Sequence, residues 1–229
     1  NFLWFFYLLA IGFFGPVRAF KEVYHSCKKK AGVPSTPFVH FVKLQRNSIP
    51  SHSTIEQYTV IDWYTNWDGR AKNVTLIRHS AFEHSAFQIR SNQLEGVRED
   101  LPSLPPHRAI LLLIWSFYAL ILALADLLRG KWWMIFALHE AVYARKISML
   151  NEGLLAREYF FTHEHCVYKP LWTYVAENRG SVCSIYFYST NCHSVTPASV
   201  QEDFFRAFSY MNWQRYLVWN ERQKRKILN

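Results

Sequence analysis

Cysteine and glycine are scarce in this sequence. The 229 residues include four cysteines and eight glycines. Cys27, Cys166, Cys183 and Cys192 form no C-x-x-C pair and follow no regular spacing, so neither a zinc ribbon nor a disulfide framework is indicated. A reducing compartment is therefore the simpler expectation.

Four motifs that mark common enzyme classes are also absent. The chain has no G-x-x-x-x-G-K-[ST] loop, no G-x-G-x-x-G fingerprint, no G-x-S-x-G elbow and no H-E-x-x-H helix. Kinases, P-loop NTPases, dinucleotide-dependent dehydrogenases and common hydrolases therefore have no support. We expect neither a metal nor a cofactor.

The charge is unbalanced towards basic residues. Lysine and arginine number 26 against 17 acidic residues, which gives a formal net charge of +9. Such a field attracts anions such as nucleotide diphosphates, acidic lipid headgroups or nucleic acid. The basic residues are dispersed, however, and no RNP-like or helix-turn-helix pattern accompanies them, so nucleic acid is not an expected partner.

The chain begins at Asn1 inside an apolar run, and we expect it to be a fragment of a longer protein. The run Phe2–Phe14 is short for a complete membrane span and lacks the features of a signal peptide. It fits the end of a membrane helix if more chain precedes it. The basic residues at positions 18–30 fit either contact with anionic headgroups or a solvated helix face.

Residues 31–50 are rich in turn formers, and two strands are predicted after them. The β-branched and aromatic residues of Ile55–Asp62 predict the first strand, with Asp62 near its carboxyl end, and Val74–Arg78 predicts the second. His79 and His84 follow the second strand. Lone histidines on loops are weak site candidates, so no role is assigned to them.

A proline-rich linker is predicted at Gly96–Arg108, which contains three prolines. It divides the chain into an N-terminal segment, residues 1–95, and a domain, residues 109–229. Beyond the linker, Ala109–Ala125 carries no charged residue and is the most apolar window of the chain. That window lies at the lower edge of transmembrane length.

Two interpretations of the apolar window stay open. In the first, Arg108 and Lys131 flank a membrane span, and Trp132-Trp133 form an interfacial belt. In the second, Ser116 and Asp126 interrupt a helix that packs on a sheet or dips into the headgroup layer. We favour the second, because residues 133–150 predict an ordinary amphipathic helix.

The remaining chain alternates predicted strands and helices. Strands are predicted at 158–161, 182–188 and 216–219, and helices at 170–179, 200–210 and 221–228, with Gly180 closing the first helix. This alternation predicts an α/β fold, a Rossmann-like parallel sheet with flanking helices, for which the membrane association of one apolar helix stays open.

Polar residues follow the predicted strands, where parallel sheets bind their ligands. His163, Glu164 and His165 follow the first of these strands and supply groups that can act as a general base. In an extended segment the two histidines share a face, so a metal site stays open, although no third ligand accompanies them; a structural loop is the other interpretation. Two further clusters are Ser189-Thr190-Asn191, which could bind sugar or phosphate oxygens or cap a helix, and Asn220-Glu221.

A family resemblance rests on several stretches of the second half: Tyr168–Glu177, Gly180-Ser181, Tyr186–Asn191, Tyr216–Glu221 and the earlier Asp126–Trp133. They resemble the N-terminal half of bacterial surface-polysaccharide biosynthesis proteins that are similar to GT-B glycosyltransferases. The resemblance covers about residues 109–229. It implies the acceptor-side domain of a two-domain enzyme, without the half that binds the donor.

The resemblance implies sugar transfer from a nucleotide sugar to a glycan or lipid-linked acceptor, without an obligatory metal. His163, Glu164 or His165 would be the base. Acceptor contacts would come from Tyr168, Trp172, Ser189, Thr190, Asn191 and Asn220. The implied location is the cytoplasmic face of the inner membrane, peripheral or monotopic, with the membrane surface as a further partner. The alternative is a non-catalytic scaffold or assembly protein anchored by two membrane helices.

Overall fold

A seven-stranded, mostly parallel sheet organises the chain in the computed structural model. The structure describes residues 2–28, 37–44, 48–49, 59–67, 74–89, 91–162, 169–187, 212–218, 221 and 224. Contacts group the chain into two units that interleave along the sequence. A helical unit contains residues 1–33, 101–155 and 170–179, and a sheet unit contains residues 34–100, 156–169 and 180–229.

The helices and strands follow one another in an α/β order. The helices are α1 (Phe2–Lys28), α2 (Val60–Trp67), α3 (Pro106–Leu128), α4 (Trp133–Met149) and α5 (Leu171–Asn178), with a short 3-10 helix at Glu152–Leu154. The strands are β1 (Phe38–Val42), β2 (Leu76–His79), β3 (His84–Ile89), β4 (Asn92–Gly96), β5 (Glu158–Thr162), β6 (Val182–Tyr186) and β7 (Arg215–Leu217).

The strand order across the sheet is β3-β4-β2-β1-β5-β6-β7. Every neighbouring pair is parallel except β3 with β4, which is an antiparallel edge hairpin. Numbered among themselves, the six parallel strands follow the order 3-2-1-4-5-6 of a Rossmann-type sheet. The predicted Rossmann-like α/β fold is therefore confirmed. The sheet does not belong to residues 109–229 alone, since four of its strands precede the predicted linker.

The core of the sheet unit is aromatic and centres on β1 and β5. All five residues of each strand are buried, as expected for central strands of a parallel sheet. Phe41 stacks on Phe160 with ring centroids 4.8 Å apart. Tyr64 of α2 meets both rings edge-on, at 5.9 and 5.2 Å. These contacts fasten α2 over one face of the two central strands.

Helix α2 replaces the carboxyl part of the strand predicted at Ile55–Asp62; residues 51–58 lie outside the described part. Asp62 lies in the first helical turn, and the Thr59 side chain accounts for the helix start. Thr59 Oγ1 accepts a hydrogen bond from the Asp62 backbone N–H at 3.2 Å and donates one to Asp62 Oδ2 at 2.8 Å. This reciprocal cap outweighs the β-propensity of Val60 and Ile61, so the prediction that Asp62 ends a strand is wrong.

Helix α1 continues through Gly15-Pro16, where the apolar run was expected to end. Close packing explains the glycines of this helix. A Cβ on Gly12 would lie 3.1 Å from Leu120 Cδ1, and one on Gly15 would lie 3.2 Å from Leu138 Cγ. Glycine therefore lets α3 and α4 approach α1 at these two levels.

A buried ion pair joins the elements of the helical unit. Glu22 of α1 and Lys146 of α4 are each about one-twentieth exposed, and Lys146 Nζ lies 2.7 Å from Glu22 Oε2. The other oxygen, Oε1, accepts a hydrogen bond from the Leu104 backbone N–H at 2.6 Å. One carboxylate thus connects α1, α4 and the proline-rich segment that leads into α3.

Most other predicted elements are confirmed within the described residues. β2, α4, β5, α5 and β6 occur where strands or helices were predicted, and Gly180 has φ +91° just after α5. β7 overlaps the strand predicted at 216–219. The helices predicted at 200–210 and 221–228 lie outside the described part, apart from residues 221 and 224. β1 was missed, because the surrounding turn formers concealed a five-residue strand.

We expect Lys146→Met to lower the free energy of unfolding by about 3–5 kcal/mol, because it leaves the Glu22 carboxylate buried and unpaired. Adding Glu22→Gln should restore most of the loss, since the amide oxygen can still accept from Leu104 N–H. Chemical denaturation followed by far-UV circular dichroism measures both. As a control, Arg145→Met, an exposed residue of the same helix, should change stability much less. Equal losses for the two single variants would contradict the role of the buried pair.

Candidate functional site

The strand order places a topological switch point between β1 and β5. From β1 the chain adds β2 and β4 on one side, and it then returns to add β5, β6 and β7 on the other. Crossover connections therefore leave the carboxyl ends of β1 and β5 in opposite directions, which opens a crevice where open α/β sheets bind ligands. The residues after Val42 and at Thr162 are the first to consider.

The residue that follows β1 has an uncommon backbone conformation. Lys43 has φ +51°, and among the described residues it alone combines a positive φ with a side chain other than glycine. Its backbone N–H donates to Ser80 Oγ, just beyond β2, at 2.9 Å. This bond holds the left-handed turn in place. Left-handed conformations of residues other than glycine occur preferentially at functional sites.

A carboxylate from the loop after β4 joins the same edge of the sheet. Val97 N–H donates to His79 O at 2.8 Å, which extends the parallel ladder of β4 and β2 to the start of this loop. Asp100 then accepts a hydrogen bond from the Ser80 hydroxyl. Its Oδ1 lies 3.4 Å from Nε2 of His40, a β1 residue whose side chain is 2% exposed. One carboxylate from the loop after β4 thereby contacts a side chain of β1 and the residue that follows β2.

The partners of Asp100 keep it ionised. Burial alone would raise the pKa of this carboxyl, but the hydrogen bond and charge of His40, the Ser80 hydroxyl and the charge of Lys43 outweigh it. The pKa of Asp100 therefore lies below its ordinary value. About a quarter of its side chain stays exposed, 27%, so the ionised group remains accessible to a ligand with hydroxyl or ammonium donors.

At the end of β5, Thr162 presents an unused polar atom. The residue is 4% exposed, and its Oγ1 has no hydrogen-bond partner among the described residues. Its neighbours across the sheet include Tyr186, with which it is in register. Buried hydroxyls are nearly always paired, and an orphan at a switch point fits a group that a substrate or a water satisfies.

Most of the residues predicted for the site lie outside the described part: His163, Glu164, His165, Tyr168, Ser189, Thr190, Asn191 and Asn220. The tract His163–His165 follows β5 directly in the chain. Trp172 is described, and it is a buried residue of α5, in the helical unit. Its burial fits a core position, and its assignment as an acceptor contact stays a prediction.

The sequence predictions missed the cluster of His40, Lys43, Ser80 and Asp100. His40 and Lys43 belong to the strand that the turn-rich composition concealed, and Asp100 lies in the predicted linker, where a polar residue is unremarkable. One signal was present, since Phe38–Val42 is an aromatic and β-branched run interrupted by a single polar residue. His79, a weak candidate, is buried, and its Nδ1 accepts a bond from Ala81 N–H at 3.3 Å.

This edge of the sheet has the chemistry of a polar-ligand site. An ionised carboxylate, a lysine and a buried unpaired hydroxyl can accept from and donate to the hydroxyls of a sugar. No group of three histidine, cysteine or acidic side chains that could hold a metal ion occurs within the described ranges. No glycine-rich turn follows β1 in the sequence, so the crevice lacks the dinucleotide fingerprint of this fold.

Comparison with known families relates the chain to polysaccharide biosynthesis. Residues 115–227 match the family described as polysaccharide biosynthesis PFTS motif protein. The match covers slightly less than half of the chain, and it includes β5, α5, β6 and β7 together with the tract after β5. Comparisons with curated proteins and with solved structures found no match.

We expect Asp100→Asn to lower the free energy of unfolding by about 1–2 kcal/mol at pH 7, because hydrogen bonds to a charged group are lost. A carboxyl whose pKa is lower in the folded than in the unfolded state stabilises the fold at pH values above its unfolded-state pKa. This stabilisation is lost as the pH falls through its folded-state pKa. The difference from the wild type should therefore shrink as the pH drops below the ordinary value of 3.8. Denaturant titrations across that range measure it, with the exposed Glu152→Gln as control. A pH-independent difference would contradict the electrostatic origin.

Proposed function

We propose that this protein is a glycosyltransferase of bacterial cell-surface polysaccharide biosynthesis, and that the switch point between β1 and β5 is its acceptor site. The observation that carries the proposal is the concentration of polar groups there. Lys43, Ser80 and Asp100 gather at the ends of β1, β2 and β4, and β5 ends at Thr162, whose hydroxyl has no partner among the described residues. The matched family supports the polysaccharide context.

The proposed reaction needs one base and a set of hydroxyl-binding groups. A base removes the proton from an acceptor hydroxyl, whose oxygen bonds to the anomeric carbon of the donor. The bond from that carbon to the nucleotide diphosphate breaks, and the diphosphate leaves with the electron pair. Glu164, His163 or His165 supplies the base, since these residues directly follow Thr162 and are of the types that take hydroxyl protons near neutral pH.

The described residues of the switch point suit the binding of the acceptor. Asp100, kept ionised by its neighbours, accepts from sugar hydroxyls. Lys43 and Thr162 donate to sugar or phosphate oxygens. Tyr168, Trp172, Ser189, Thr190, Asn191 and Asn220 remain proposed acceptor contacts. The donor is a nucleotide sugar, and the acceptor is a glycan or a lipid-linked sugar; no cofactor takes part.

Replacing the base should abolish turnover with little effect on folding. In the protein expressed from its full reading frame, we expect Glu164→Gln or His165→Ala to lower kcat by about 100-fold or more, the usual contribution of a general base. Transfer from a panel of radiolabelled nucleotide sugars measures this. Glu152→Gln, an exposed glutamate on the short 3-10 helix, is the matched control and should leave kcat unchanged. Undiminished turnover in both site variants and in His163→Ala would remove the catalytic assignment.

Thr162→Val separates a binding role from a structural one. Valine has nearly the same shape and removes a buried hydroxyl that has no partner among the described residues, so stability should stay equal or rise by about 1 kcal/mol. If the hydroxyl binds the acceptor, the acceptor KM rises. Thr173→Val is the matched control. Its buried hydroxyl donates to Pro170 O at 2.6 Å, so this variant should lose stability while KM stays the same. An unchanged KM in Thr162→Val would exclude acceptor binding by that hydroxyl.

A further inference from the structure

Among the described residues, α1 and α3 of the helical unit expose many large apolar side chains. On α1, Leu3, Phe14 and Phe20 are 87%, 60% and 62% exposed. On α3, Ile114, Ile121 and Leu128 are 61%, 64% and 82% exposed. We call this surface, on α1 and α3, the lipid face. Single exposed apolar side chains are ordinary on soluble proteins, but a patch that runs along two whole helices is not.

Helix α3 has the dimensions of a membrane span. It contains 23 residues, and 22% of its most apolar window is buried. At about 1.5 Å per residue it is roughly 34 Å long, slightly more than the hydrocarbon core of a bilayer, about 30 Å. A core helix of comparable composition would be mostly buried. Ser116, which was expected to interrupt this helix, donates its hydroxyl to Leu113 O at 2.7 Å, so no polar atom of this side chain is left unpaired.

Helix α1 lies antiparallel to α3. The apolar first half of α1 therefore lies beside the apolar window of α3. Leu8 packs with Leu120 and Ala123, whereas Glu22, near the other end of α1, bonds to Leu104, just before α3 begins. The first helix therefore runs alongside the second over most of its length. Gly12 permits the close approach to Leu120 of α3, and small residues at helix contacts are a feature of membrane helix pairs.

Charged residues lie at the two ends of this helix pair. No charged residue occurs from position 109 to 125. One end carries Arg108, together with the basic residues in the second half of α1. At the other end Asp126 lies 3.5 Å from Arg129 Nη1 and 3.7 Å from Lys131 Nζ, and Trp132 and Trp133 are about half exposed. Basic and tryptophan residues at helix ends are the usual anchors at membrane interfaces.

We infer that α3 crosses a lipid bilayer with the apolar first half of α1 packed antiparallel beside it, with the lipid face against the acyl chains and residues 129–133 at the far interface. The lack of charge from position 109 to 125 of α3 favours lipid over a protein partner, because protein interfaces have a polar rim around a limited apolar centre. This inference does not depend on the proposed sugar transfer. It differs from the interpretation favoured from the sequence, a helix that packs on a sheet or dips into the headgroup layer.

Carbonate extraction tests the insertion. Membranes from cells that express the chain are washed at alkaline pH, and the protein should stay in the pellet. Ile114→Lys combined with Ile121→Lys puts two charges on the lipid face and should shift the protein to the supernatant. Leu171→Lys, on α5, is the matched control at an exposed apolar residue away from the lipid face and should stay in the pellet. Circular dichroism in detergent checks that the double variant keeps its helices.

Cysteine labelling tests the crossing. Cys27 is exposed near the end of α1, and Lys131→Cys places a thiol at the far turn; the other three cysteines are replaced. In sealed vesicles, a membrane-impermeant maleimide should label one of the two positions directly and the other after detergent is added. Labelling of both from the same side would overturn the crossing. Wild-type protein extracted by carbonate, or soluble oligomers that bury the lipid face without detergent, would overturn the insertion itself.

Discussion

The sheet depends on the parallel pairing of β1 with β5. These strands come from opposite sides of the long α3–α4 segment, and their ladder runs from Val39 opposite Glu158 to Val42 opposite Phe161. Arg157 N–H extends it by donating to Phe38 O at 2.8 Å. The stacked Phe41 and Phe160 rings add about 0.5–1.5 kcal/mol beyond their buried area. Every other strand is added outward from this pair, so the same contact that forms the core also creates the switch point.

Local pattern was enough to predict elements in which one physical effect dominates. The strand–helix–strand unit of β5, α5 and β6 was predicted because β-branched and aromatic runs alternate with a helix that ends just before Gly180. The prediction failed where two effects compete. At Val60–Asp62 the side chains favour a strand, but the Thr59 cap satisfies the orphan donors of a helix start, and Tyr64 then packs on Phe41 and Phe160. Tertiary packing therefore decided the outcome.

The candidate site illustrates a different limit of sequence reasoning. The tract after β5 is recognisable because three ionisable groups are adjacent in the chain. Asp100 is not recognisable in this way, because its significance depends on its contacts with Ser80 and His40, which lie in other parts of the sequence. The pairing order of the strands brings these residues to one edge, and no local pattern contains that order. A sequence therefore indicates which strand ends carry polar residues. It indicates less readily which of these ends lie next to one another in the sheet.

The two units use apolar residues in different ways. In the central strands β1 and β5, every residue is buried. In α3, Ala109, Leu112, Leu120 and Ala123 are buried while most of the remaining apolar side chains stay exposed. Hydrophobic burial is favourable at about 25 cal/mol per Å², so leaving such a surface in water would oppose folding. The bilayer proposed around α3 and the apolar half of α1 removes this conflict, because the medium next to the exposed side chains is then itself apolar.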